Sequence, residues 1–261
     1  MTNTSRVNRI SLSELLTIRT PVDFSDFLIN KAIQKYCSDY SDGLGDLLAI
    51  CATEREAKNF RNYQFDSVTL SGLHDQADAL RPLLESDSRL RYERQNGEAL
   101  SYDDKSFDLV FCKSGLHHFS RPVLGLYEML RVARRGVVFI EPYETFISKV
   151  FDSFGLRSVY ERDERMNIDA RDNYVFRWNK RLLEQLLNSY YLESGYELDI
   201  SIAWMSNKIN ANKNALVRLF GTFGGTVFSF LPGCGGNQIL CFIKPGTQLP
   251  PPPISIQELL D

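Results

Sequence analysis

Apolar positions along the chain fall into short unbroken runs separated by stretches of helical spacing. The run Leu47, Leu48, Ala49, Ile50, Cys51 follows the Ser-Asp-Gly punctuation at Ser41–Gly43 and lacks alternation, which predicts a strand buried on both faces of a parallel sheet. Further strands are predicted over Ser67–Ser71, Arg89–Arg94, Phe107–Cys112 and Gly136–Ile140. Between them lie helix-like segments at Thr53–Arg61, Asp75–Leu84 and Arg121–Ala133, the last with Val123, Leu126, Tyr127 and Leu130 on one face. Such alternation predicts an open, doubly wound α/β sheet whose loops after Ile50, Leu70, Arg94, Cys112 and Ile140 converge on one cleft.

The flanks read differently. Residues 1–22 are polar and predict a flexible N-terminus, and an entrance helix follows over Phe24–Tyr36, with Phe24, Phe27, Leu28 and Ile33 at helical spacing. Residues 155–177 are charged and aromatic and predict a lid; Trp178–Tyr191 is an amphipathic helix; Tyr196–Trp204 alternates as a strand does. An insertion over 210–236 precedes a final strand, Asn237–Lys244. Residues 23–246 thus form one domain, and 247–261 is a tail with four successive prolines, Pro250–Pro253, a stiff extended spacer.

Composition narrows the function classes. Thirty basic against 33 acidic residues leave a net charge of -3, so there is no electrostatic footprint for a polyanion, and nucleic acid is excluded as a substrate. The five cysteines (Cys37, Cys51, Cys112, Cys234, Cys241) contain no C-x-x-C pair, which argues against a zinc cage or a disulfide framework and points to no metal and a cytoplasmic, reducing compartment. The longest apolar stretch, Leu219–Leu231, is broken by three glycines and too short to span a membrane.

The segment Asn96–Pro142, "NGEALSYDDKSFDLVFCKSGLHHFSRPVLGLYEMLRVARRGVVFIEP", carries more specific information. It resembles the middle of class I S-adenosylmethionine-dependent methyltransferases of the type 11 kind, which carry a "D-A-E-x-L-P-F-x-D-x-S-F-D-x-V" stretch, then "L-H-H" and a strand ending in "E-P". A fainter likeness, in "NYVFRWNKRLLEQLLNSY" and "GNQILCFIKP", is to methyltransferase-like proteins of glycan gene clusters. The resemblance implies a Rossmann-like seven-stranded sheet, mostly parallel with the last strand antiparallel, helices on both faces and a helical insertion before the last strand. It implies S-adenosylmethionine as cofactor and a small-molecule or saccharide acceptor.

Carried over residue by residue, the resemblance places Ile50, Cys51 and Ala52 in the first cofactor loop, Ser71 where a ribose-binding acid is expected, and Asn96, Gly97 and Glu98 in the adenine loop. Lys113 and Ser114 line the cofactor after the fourth strand, His117 and His118 face the acceptor, and Glu141, Pro142 and Tyr143 border its pocket. An imidazole can take a proton from an acceptor hydroxyl, although aligned methyl transfer needs little acid-base help; the alternative is that one histidine caps the next helix and the other packs. Glu141 either binds a substrate hydroxyl or caps the following helix. Asn96-Gly97 also reads as a plain turn, and Cys112 as a buried small apolar residue rather than a nucleophile.

The sequence departs from the family pattern at two points. Where "D-x-G-x-G-x-G" belongs, Ala49–Arg55 reads "AICATER", and no glycine stands between Asp46 and Ser71. Serine at 71 offers one hydroxyl where a carboxylate would accept two bonds. A second reading follows from these departures, a catalytically silent methyltransferase-like protein acting as a binding or assembly partner, with the tail and its Ile254, Ile256, Leu259 and Leu260 as a docking peptide. An NAD-dependent oxidoreductase is excluded by the lack of G-x-G-x-x-G, and "PGCGGN" (Pro232–Asn237) precedes a strand instead of opening a helix, as a turn would.

Overall fold

Every side chain from Leu47 to Ile50 is at most 2% exposed, and this run is the middle strand of a parallel block. The structure is a computed structural model that describes residues 3–11, 13–14, 18, 21–145, 149, 153, 160–161, 173–191, 195–203, 216 and 237–245. The main sheet contains β1 (Thr4–Arg9), β2 (Asp46–Ile50), β3 (Ser67–Gly72), β4 (Leu90–Arg94), β5 (Phe107–Lys113), β6 (Ala133–Pro142), β9 (Tyr196–Ala203) and β10 (Gln238–Pro245). Its order is β1-β9-β10-β6-β5-β2-β3-β4, with β10 antiparallel to both of its neighbours and the other pairings parallel. Two short strands, β7 (Tyr160–Glu161) and β8 (Asn173–Tyr174), pair with each other separately.

Alternate side chains of β2 feed two cores, because successive residues of a strand point to opposite faces. Leu47 and Ala49 pack with Phe24, Ile33 and Phe60, which come from α1 (Pro21–Asp39) and α2 (Glu54–Phe60). Leu48 and Ile50 pack with Leu126, Met129, Leu183 and Leu187, which come from α4 (Pro122–Val132) and α5 (Lys180–Tyr191). The remaining helix, α3 (Ala77–Ser86), buries Leu80 on the α1 and α2 side. Each fully buried leucine contributes roughly 1.5–3 kcal/mol by leaving water, so the two faces of one short strand anchor both layers. No helix among the described residues is long and apolar enough to cross a membrane.

The doubly wound architecture is as expected, with eight strands in place of seven. The addition is Thr4–Arg9, which lies within the stretch read as polar and flexible and pairs in parallel register with β9 from Thr4↔Glu197 to Arg9↔Ile202. Its side chains are almost all exposed, so the backbone ladder, with Asn8 Nδ2 donating to Asp199 Oδ1 at 2.8 Å, holds it in place. Most of the predicted lid at 155–177, the insertion at 210–236 apart from Leu216, the turn at 232–236 with Cys234, and the 247–261 tail lie outside the described residues.

Register brings the strand ends level. Ile50 pairs with Ser71 of β3 and with Cys112 of β5, and Lys113 pairs with Ile140 of β6. The chain leaves β2 toward β3 on one side while β5 lies on the other, which creates the switch in strand order above which open α/β sheets bind ligands.

Candidate active site

A cleft of about 430 Å³ opens over that switch. Ile50 and Cys51 line it from the end of β2, Gly72, Leu73, His74 and Gln76 from the end of β3, and Gln95 to Glu98 from the end of β4. Ser114, Gly115 and the run His118 to Ser120 close it from the β5 side. Of the residues expected in the site, Ile50, Cys51, Asn96, Gly97, Glu98, Ser114 and His118 meet here; Ala52, Ser71, Lys113, His117 and Glu141 do not.

The first turn achieves a glycine's conformation without a glycine. Cys51 has φ of 55°, the left-handed region that costs an L-residue roughly 1–2 kcal/mol. The Ala52 amide then donates to the Ser71 carbonyl at 3.0 Å, tying the ends of β2 and β3 together. Thr53 begins α2 with a capping box, its hydroxyl accepting from the Arg55 amide and Glu56 reaching back to the Thr53 amide. The compensating glycine stands beside it, in the loop after β5. A Cβ on Gly115 would fall 2.8 Å from Cys51 Cβ and 2.8 Å from Cys112 Sγ, so the absence of a side chain at 115 makes room for the one at 51.

Strand β3 runs one residue beyond Ser71, which changes what reaches the cleft. Ser71 is fully buried and its hydroxyl donates to the Ala49 carbonyl at 3.3 Å, so it serves the sheet. Gly72, the exposed Leu73, and His74 and Gln76 form the wall instead. The adenine-loop segment is tightly built: Asn96 Oδ1 accepts from the Glu98 amide at 3.0 Å, and Gly97 sits so close under Phe119 that a Cβ would lie 2.4 Å from its ring. Glu98 spans the mouth to Arg121, accepting from its backbone amide at 2.6 Å and from its guanidinium at 2.9 and 3.0 Å.

The β5 side holds the densest polar network. Lys113 turns away from the cleft to Glu56 at 3.6 Å, and Ser114 takes φ of 50° while its amide donates to the Ile140 carbonyl. Glu141 is fully buried and accepts from the Gly115 and Leu116 amides at 2.8 and 2.9 Å and meets His117 Nδ1 at 2.5 Å. It thereby satisfies the start of the one-turn 3-10 helix Leu116–His118, a partner for otherwise orphaned donors. The alternatives read from sequence were a substrate contact or a cap on the next helix; Glu141 instead clamps the preceding loop. His117 is 5% exposed, and its ring lies 4.1 Å from that of His118, which is partly exposed and lines the cleft. Cys112 is completely buried, and the adjacent Cys51 thiol together with burial pushes its thiol well above the usual range.

Sequence reasoning left Gly72, Leu73, His74, Gln76, Gln95, Gly115, Phe119 and Ser120 out of the site. The signal for Leu73 and Gln76 was the strand's extension to Gly72, which moves the β3 loop one residue onward; nothing in the local sequence marked Gly115 as the partner of Cys51. Beyond the cleft, the chain leaving β6 is held on two sides: the Trp178 amide donates to the Pro142 carbonyl at 3.0 Å, and the Tyr143 amide donates to the Asn237 carbonyl at 2.9 Å. Among the described residues no group of three or more His, Cys, Asp or Glu side chains is placed to hold a metal ion.

Comparison with known proteins bears on this arrangement. Residues 48–140 match the family described as "Methyltransferase domain". No curated protein matches the chain. Among solved structures, YcgJ of Bacillus subtilis has a TM-score of 0.56 at 14% identity, covering 84% of this chain and 100% of its own. An S-adenosylmethionine-dependent methyltransferase of Clostridium acetobutylicum has a TM-score of 0.54 at 12% identity, covering 84% of this chain and 91% of its own. Magnesium protoporphyrin IX methyltransferase of Synechocystis, solved with bound S-adenosylhomocysteine (SAH), has a TM-score of 0.51 at 11% identity, covering 85% and 84%. These likenesses show the fold, and the residues that match the methyltransferase domain run from β2 to β6 and include every loop of the cleft.

Proposed function

We propose that the cleft over β2, β3, β4 and β5 binds S-adenosylmethionine and that the chain transfers its methyl group to a small-molecule acceptor of hydroxyl or glycan type. The observation that carries this reading is the convergence of Ile50, Asn96 and His118, from three different βα loops, on one cleft at the switch in strand order. S-adenosylmethionine supplies a methyl group on a positively charged sulfur. Asn96 has the acceptor chemistry to receive an exocyclic amine, and Ile50, Leu73 and Phe119 provide apolar walls that exclude water from an adenine. Gln76 and His74 offer polar groups where the family's ribose-binding carboxylate is absent.

His118 faces the cleft and is the residue suited to accept a proton from an acceptor hydroxyl, while His117 and Glu141 position it. The domain so formed works in a reducing, cytoplasmic compartment, where Cys37, Cys51, Cys112 and Cys241 remain free thiols. Calorimetric titration with S-adenosylmethionine and with SAH tests the core of the reading. Binding is expected for both, and Asn96→Ala is expected to weaken it roughly tenfold, the loss of about one hydrogen bond. No heat at millimolar ligand, from protein shown to be folded by circular dichroism, rejects the proposal and leaves a silent methyltransferase-like protein.

A further inference from the structure

Two thiols meet at the floor of the cleft. Cys51 is the first residue beyond β2 and Cys112 lies in the neighbouring strand β5, one residue out of register, since Ile50 pairs with Cys112. Neighbouring strands lie about 4.8 Å apart, which places the two backbones within the span that a disulfide bridges. Their sulfurs approach a common point: the position a Cβ would take on Gly115 lies 2.8 Å from Cys112 Sγ and 3.0 Å from Cys51 Sγ. The missing side chain at 115 leaves the two sulfurs a shared volume into which both can turn. Both are free thiols here.

We propose that Cys51 and Cys112 are an oxidation site, a dithiol that closes to a disulfide when hydrogen peroxide enters the cleft. The two sulfurs have different roles because they differ in access. Cys51 is partly exposed and lines the cleft, so it meets the oxidant; Cys112 is completely buried and holds its proton, so it acts second. In the first step the Cys51 sulfur attacks one peroxide oxygen, the O–O bond breaks, and the other oxygen leaves as water with the thiol proton, giving a sulfenic acid. In the second step the Cys112 sulfur attacks Cys51 sulfur, the S–O bond breaks, and the hydroxyl leaves as water with the Cys112 proton. Two thiols lose two electrons in total and one peroxide gains them.

The bond would draw the Cys51 side chain out of the cleft wall and fix the left-handed turn after β2 to β5. Its effect on the ligand rests on the cofactor reading above, whereas its formation does not. The full-length protein is therefore treated with hydrogen peroxide and examined by intact mass and by peptide mapping after alkylation of remaining thiols. A loss of about 2 Da and a peptide pair joined through Cys51 and Cys112 are expected, reversed by dithiothreitol. Cys51→Ser and Cys112→Ala should each abolish the pair, and Cys112→Ala should let Cys51 proceed to the sulfinic acid, a gain of about 32 Da. Cys51 oxidising to the sulfinic acid in the wild-type chain with Cys112 left alkylatable after unfolding, or no oxidation of either, overturns the proposal. Oxidised protein should bind SAH at least about fivefold more weakly than reduced protein. Equal affinities refute the switching role, while a reduced protein that binds no SAH refutes the cofactor reading and leaves the mass result standing.

Discussion

The turn after β2 and the turn after β5 pack against each other at the edge of one cleft and are held by opposite means. The first lacks the glycines of the methyltransferase pattern it resembles, yet its backbone takes a glycine's shape: Cys51 adopts φ of 55°, and the Ala52 amide ties it to β3. The second depends on a side chain, the buried Glu141, which takes two loop amides and one imidazole at once. A conformation can therefore pass from glycine to another residue when a neighbour yields space, as Gly115 does. A buried carboxylate that satisfies three donors has no such substitute, because each donor left alone is costly.

The largest test of that contrast is Glu141→Ala. It leaves two buried amides and His117 without this partner and should lower unfolding stability by about 3 kcal/mol or more in urea titrations, with Glu141→Gln recovering part of the loss because its carbonyl still accepts. A loss under about 1 kcal/mol would show the second turn to be as tolerant as the first. At the first turn, Cys51→Val places a β-branched residue in the left-handed region and should cost about 2 kcal/mol, whereas Cys51→Gly should be close to neutral, since relief of strain offsets lost packing. Equal stability of the two variants would mean that the turn relaxes to another conformation.

The wall after β3 should respond least. Gln76→Ala is expected to weaken SAH binding about threefold by calorimetry, roughly the value of a partly exposed hydrogen bond. Ser71→Ala should leave affinity unchanged and lower stability by no more than about 1 kcal/mol, because its hydroxyl serves the Ala49 carbonyl. The reverse order, with Ser71 controlling affinity, would restore serine to the ribose position and displace Gln76 from it.

Much of the sheet is legible in the sequence. Strands β2, β3, β5 and β6 bury residues on both faces, so continuous apolar runs such as "LLAI" and "LVFC" marked them, and the leucine stripe of 182–187 marked α5. The site was less legible, for three separate reasons. Ser71 was placed in the cleft because a strand's end cannot be fixed to one residue from its pattern, and a shift of one residue sends a side chain to the other face. Glu141 satisfies amides 25 and 26 positions away in the chain, a relation no local spacing encodes. His117 and His118 are adjacent, and only the single 3-10 turn that separates their directions decides which is buried with Glu141 and which reaches the cleft.

Strand β1 was invisible for a related reason: "TSRVNR" has one apolar residue, and that residue, Val7, is 44% exposed. Its place at the rim has a consequence for how the sheet assembles and how its edge is covered. Without it, β9 would present a bare ladder of amides and carbonyls beside Ile200 and Ile202, the kind of rim along which a second chain can add. A polar, self-supplied strand closes that rim, but its partner lies some 190 positions later in the chain. Strand β1 is therefore made some 190 residues before the edge it covers, and it has no partner in the sheet until β9 follows.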